Sequence, residues 1–182
     1  RKNRVSYLSA TILLLLFFAS YIYYIYNLGF LFNERVIADI NIVEEVLKVF
    51  LPILLWTGSN YLVASIREGE GRFKDVYITT IFSLTPFFLA LPVITILSGG
   101  LTYNEAFLVD TMSNVALGVT VIYFFFMVKE THYYQVKETI VTIGISAFTM
   151  IMALLSTFIL YILLNELFTL IIDIITEVAY RV

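Results

Sequence analysis

The sequence predicts an all-α integral membrane protein. The expected architecture is a bundle of five transmembrane helices with an interfacial amphipathic helix after the first and an amphipathic C-terminal helix. Three observations carry this. Five apolar runs, at about residues 5–27, 46–66, 77–98, 111–128 and 139–164, each come close to the roughly 20 residues a helix needs to cross a bilayer core at 1.5 Å rise per residue. Hydrophobic residues make up 60% of the chain, with mean hydropathy +0.93. Charged residues make up 14%, against roughly 25% in soluble domains, and they gather between the runs. A chain of 182 residues then forms one membrane domain, 1–182, with tail helix 165–182 and no separate soluble domain.

The first run follows Arg1-Lys2-Asn3-Arg4 and ends in Tyr21, Tyr23, Tyr24 and Tyr26. It is too long for a secretory signal and lacks small residues at its end, so it reads as a retained anchor whose tyrosines sit at the membrane–water boundary. Arg1 in place of Met suggests residues further upstream. Residues 30–45 mix Phe30, Leu31, Phe32, Ile37, Ile40, Ile42 and Val43 with Asn33, Glu34 and Arg35, a pattern for a short helix lying on the interface. The second run carries Pro52, Trp56 and Asn60, and a charged link from Arg67 to Asp75 follows. Pro86 and Pro92 predict kinks in the third run, which stops at Ser98-Gly99-Gly100. The fourth run ends before Lys129, so Lys129-Glu130-Thr131-His132-Tyr133-Tyr134 reads as a loop with His132 as a polar surface residue. The fifth begins at Thr139 and is free to continue past Asn165 as one long helix.

Orientation follows from the basic residues. Arg1, Lys2 and Arg4, then Arg67, Arg72 and Lys74, then Lys129 and Lys137 fall on one side. The other side has Arg35, Arg181 and Lys48. This predicts a multi-pass protein of the inner (cytoplasmic) membrane with its N-terminus in the cytoplasm and its C-terminus outside.

Chemistry is constrained by what the runs lack. No charged residue or histidine sits near the middle of any run, which argues against proton-coupled transport. No base accompanies the many Ser and Thr residues. The absence of cysteine and the single histidine exclude disulfides, thiolate ligands and a histidine metal cluster. No catalytic, cofactor or metal-binding residues are expected, nor any nucleic-acid partner. Inside the runs, Thr79, Ser83 and Pro86 and then Thr142, Ser146 and Thr149 recur at helical spacing. Such stripes allow close helix packing and shared hydrogen bonds, or alternatively line a substrate path. Asn60 and Asn114 are the most polar groups at membrane depth and should each face another helix.

Two surfaces are candidates for partner binding. Glu68, Gly69, Glu70, Gly71, Arg72, Lys74 and Asp75 form a short link of alternating charge whose glycines permit a tight turn and close approach by another backbone. In the tail, Glu166, Asp173 and Glu177 share one helical face, while Leu167, Leu170, Ile171, Ile174, Ile175 and Val178 share the other. An acidic helix gains little from anionic lipid. It should pack on its own bundle or on a partner subunit.

The chain resembles the Yip (Ypt-interacting protein) superfamily, bacterial type. The resemblance lies in Trp56 with Asn60-Tyr61, Gly69-Glu70-Gly71-Arg72-Phe73-Lys74-Asp75-Val76, Ser83-Leu84-Thr85-Pro86, Leu101-Thr102-Tyr103-Asn104-Glu105-Ala106-Phe107 and Lys129 to Tyr134. It covers most of residues 46–182. It implies five spans, a cytoplasmic N-terminus and no enzymatic activity. Bacterial relatives are often encoded beside ABC-type sugar importers, which implies an accessory or scaffold subunit with permease subunits, or further copies of itself, as partners. The alternative expectation is a small-solute transporter or channel lined by the Thr/Ser stripes.

Overall fold

The computed structural model describes residues 6–33, 35 and 40–181, with backbone alone at 178, 179 and 181. The described residues are helical, with no strand, and five helices are long and apolar enough to cross a membrane. This is consistent with a multi-pass membrane protein whose helix surfaces contact lipid.

Helix α1 runs Tyr7–Asn27, opened by Ser6, whose hydroxyl accepts from the Leu8 N–H at 3.3 Å. Helix α2 runs Ile42–Ile66, opened in the same way by Asn41 at 3.0 Å from the Val43 N–H. Residues 30–32 form a turn, so the described part of the expected interfacial helix is turn followed by the start of α2. Glu34 and residues 36–39, Ile37 among them, lie outside the described residues, as do Arg1, Lys2 and Arg4.

The third span breaks where Pro86 predicts it. Helix α3 (Phe73–Ser83) stops at Leu84 and α4 (Thr85–Ser98) restarts with Pro86 in its first turn, where the missing N–H costs nothing. Pro92 is accommodated within α4. A single 3₁₀ turn, Tyr103–Glu105, leads into α5 (Ala106–His132). Here the sequence expectation of a loop from Lys129 is corrected. Lys, Glu and Thr do not break a helix, and α5 continues until Tyr133 adopts a left-handed conformation, φ 57°. Helix α6 is one unbroken element, Val136–Arg181, of 46 residues.

The helices alternate in direction, so the bundle has two ends. At one, the Lys74 ammonium lies 4.8 Å over the Tyr7 ring, and the Arg67 and His132 termini meet. At the other, Gly29 meets Ser98. The apolar core joins α1 to α4 through Ala10, Leu14, Phe17, Val49, Ile53, Ile81, Phe88 and Leu91, with Phe17 and Phe88 stacked at 4.8 Å. At the Gly29 end the carboxylate of Glu45, 4% exposed, accepts from Tyr21 Oη at 2.7 Å and Lys48 Nζ at 2.6 Å. Helix α6 packs against α2 and α5 through its first third alone: Thr139, Thr142 and Ser146 are fully buried, and 154–177 are exposed throughout.

Candidate functional site: the polar cluster around His132 and the free arm of α6

His132 is not a surface residue. As the last residue of α5 it is 2% exposed. Its Nε2 donates to Asn60 Oδ1 at 2.9 Å, and Asn60 Nδ2 donates to Ser146 Oγ at 3.3 Å. One chain of hydrogen bonds therefore ties α5 to α2 and α2 to α6. A second tie lies one turn away: Arg67 Nε donates to Thr142 Oγ1 at 3.1 Å. Such buried polar pairs specify which helices meet, because a lone amide in an apolar bundle is costly.

The glycine link is built onto this cluster. A Cβ on Gly71 would stand 2.7 Å from His132 Nδ1 and Cε1. One on Gly69 would stand 2.5 Å from Tyr134 Oη and 2.9 Å from His132 Nδ1. The glycines thus do what small residues permit, close approach, but the approaching group is an imidazole and not another backbone. Tyr134 stacks on His132 at 5.3 Å and its hydroxyl donates to the Arg67 carbonyl at 3.4 Å. Burial pushes the Tyr134 phenol up from its ordinary value, so it is a neutral donor. His132 Nδ1 is buried with no partner.

The residues singled out from sequence divide clearly. Asn60, Thr142 and Ser146 come together as interhelical links. Thr79, Ser83 and Thr149 do not link helices. Their hydroxyls donate to carbonyls of their own helices, at Asp75, Thr80 and Ile145, the usual resort of a Ser or Thr in a helix. Asn114 is exposed and has no hydrogen bond, which corrects the expectation that it faces another helix. The inward face of α5 is set by Ser113, Ala116 and Thr120, and Asn114 is rotated about 100° from Ser113. Thr79 and Ser83 do share a polar cavity with Asn60 and Thr80, of about 10 Å³, which is space for about one water. Among the described residues, no three His, Asp or Glu side chains group to hold a metal ion.

Of the charged link, Arg72 pairs with Asp75 at 3.3 Å and Lys74 sits over Tyr7. Glu68 and Glu70 are exposed, with no ion pair. Glu68 holds φ 58°, the left-handed region, immediately after α2.

Of the two expectations for the tail, packing on its own bundle is not what the structure shows: Leu167, Leu170, Ile171, Ile174 and Ile175 are 43–62% exposed. Glu166, Asp173 and Glu177 share one exposed face of α6 with Leu163, Leu167 and Leu170, so the acidic and apolar residues do not divide onto opposite faces as expected. The side chain of Val178 lies outside the described residues.

No protein-family model, curated protein or solved structure matches this chain.

Proposed function

We propose that this chain is a non-enzymatic accessory or scaffold subunit of a complex in the cytoplasmic membrane, and that α6 beyond Leu154 is where a second polypeptide docks. One observation carries the reading. Helix α6 carries no charged residue from Thr139 to Asn165, about 40 Å at 1.5 Å per residue. A hydrocarbon core about 30 Å thick takes up that length at a tilt within the roughly 0–40° found for spanning helices. The helix then runs on past the core, with Leu167, Leu170, Ile171, Ile174 and Ile175 still exposed, and this apolar surface beyond the core is what a second polypeptide would cover. The acidic stripe Glu166, Asp173 and Glu177 disfavours a second copy laid against the same face, since like charges would oppose, and suits a partner with basic residues at the rim. The permease subunits of an ABC-type carbohydrate importer are the partner that the Yip-like motifs imply. The link Glu68–Asp75 is the second docking surface: its glycines are seated on His132 and Tyr134, so little entropy is lost when a partner binds it.

Two outcomes check the reading. Charge reversal at Asp173 and Glu177, or at Glu70 and Arg72, is expected to reduce co-purification with permease subunits about tenfold while leaving insertion and folding unchanged. In liposomes the purified chain is expected to pass no solute. Flux by the chain alone would favour the transporter reading, to which the structure lends a cavity of about 10 Å³.

The basic residues Arg67, Arg72, Lys74, Lys129 and Lys137 at the His132 end support a cytoplasmic position for that end. Single cysteines at Ser6, Lys74 and Lys137 should then be protected from an impermeant maleimide in intact cells, and one at Asn104 should react. Labelling at Lys74 from outside contradicts this orientation.

A further inference from the structure

At the His132 end, a cleft of about 270 Å³ opens where α2 and α5 stop and α6 begins. We propose that this cleft binds the headgroup of a lipid carrying a primary ammonium and a phosphodiester, that is, a phosphoethanolamine headgroup.

Its charges are arranged for a zwitterion. Arg67 is the cation. Its Nε is fixed by Thr142, and its remaining guanidinium nitrogens have no hydrogen bond or ion pair. A planar guanidinium with free donors matches a phosphodiester. The carboxylates of Glu68, Glu70 and Glu138 line the same cleft. Glu138 accepts from the Gln135 N–H at 2.9 Å. Glu68 and Glu70 are uncommitted. His132 belongs to the lining, is 2% exposed, and its Nδ1 is buried with no donor to accept from. Three carboxylates make an acceptor-rich wall. That wall calls for a cation that donates hydrogen bonds, so a primary ammonium fits and a quaternary ammonium, which has no N–H, does not.

Depth and size narrow the source. The cleft lies at the ends of three spanning helices, the level of the headgroup layer. Leu62 and Ile66 on α2 and Val136 and Ile140 on α6, all 55–83% exposed, offer apolar surface beside it for acyl chains. The volume is just under the roughly 300 Å³ at which small-molecule pockets begin, a size for a headgroup and not for a whole metabolite. Tyr133 and Tyr134 supply aromatic walls of the kind favoured at this depth.

The inference does not rest on the docking reading, because it is tested on the isolated chain. Native mass spectrometry of the full chain, titrated with phosphatidylethanolamine, phosphatidylcholine and phosphatidylglycerol, is expected to show phosphatidylethanolamine retained about tenfold over the other two. The double variant Glu68→Gln with Glu70→Gln alters exposed side chains only and should remove that preference without changing thermal stability. Asp110→Asn, on α5 far from the cleft, should keep it. Equal retention of the three lipids, preference for phosphatidylglycerol, or an unchanged preference in the double variant would overturn the proposal. So would displacement by free glycerophosphoethanolamine at equal concentration, which would make the ligand soluble and not a lipid.

Discussion

Gly29→Ala is expected to be among the most damaging single substitutions in the chain. A Cβ at Gly29 would lie 2.4 Å from the Ser98 carbonyl oxygen and 2.8 Å from its carbon. Both are backbone atoms at the end of α4, so no side chain can rotate away. The same contact is held by the Gly29 N–H donating to Ser98 Oγ at 2.8 Å, and it joins the end of α1 to the end of α4, two helices that share the Phe17–Phe88 stack. Overpacking costs about 1–3 kcal/mol where side chains can yield, and a fixed backbone puts this site at the upper end. For a chain of this size that is about 6–12 °C in thermal midpoint. Gly58, Gly118 and Gly144 are matched controls, since a Cβ at each meets nothing within 4 Å. All three lie inside helices, where Ala is favoured over Gly. Their Ala variants should be as stable as the parent or more so, read by thermal shift in the same detergent.

The second large effect is a coupled one. Gly71→Ala drives a methyl group to 2.7 Å from the His132 ring, costing about 1–3 kcal/mol. His132→Ala removes a buried side chain and strands Asn60 Oδ1 inside the bundle, which together cost about 2–4 kcal/mol. The two penalties should not add. Once the imidazole is gone, the two contacts at 2.7 Å go with it and the nearest atom to an alanine at Gly71 is Thr131 Cγ2 at 3.0 Å, so the double variant should be about as stable as His132→Ala alone. A coupling of about 1–3 kcal/mol in a double-mutant cycle, equal to the Gly71→Ala penalty, shows that the glycine link is seated on His132. Simple additivity shows that it is not.

How much of this was legible from sequence depends on the residue. The five spans were, because 60% hydrophobic residues in five blocks permit few other arrangements in a chain this short. So was the break before Pro86, since a proline both lacks the donor and crowds the preceding turn. Helix ends were less so. Helices α5 and α6 run beyond the apolar runs at their start, end or both because charged and hydroxyl residues do not stop a helix; only the left-handed Tyr133 does. Asn60 and Asn114 show why burial is harder still. The residue type is the same, and helical phase alone puts the first inside and the second outside. That phase becomes visible only once the small residues Ser113, Ala116 and Thr120 are known to face inward. His132 left one faint trace. Two glycines bracketing Glu70 imply that something approaches the link closely, but nothing in the sequence says that it is a side chain 60 residues further on. The Yip-like reading likewise rests on the quoted motifs and on no matching protein.

The most direct test of the docking reading is photo-crosslinking along α6 in intact membranes. A photoreactive residue replaces Phe168 or Ile172, both 61% exposed and far beyond the last buried position, Ser146. The expected result is a discrete crosslink to a permease subunit from these positions, reduced about tenfold when Asp173 and Glu177 are reversed in charge. Crosslinks to lipid alone from both positions, in cells that contain the importer, would contradict the claim that protein covers the arm.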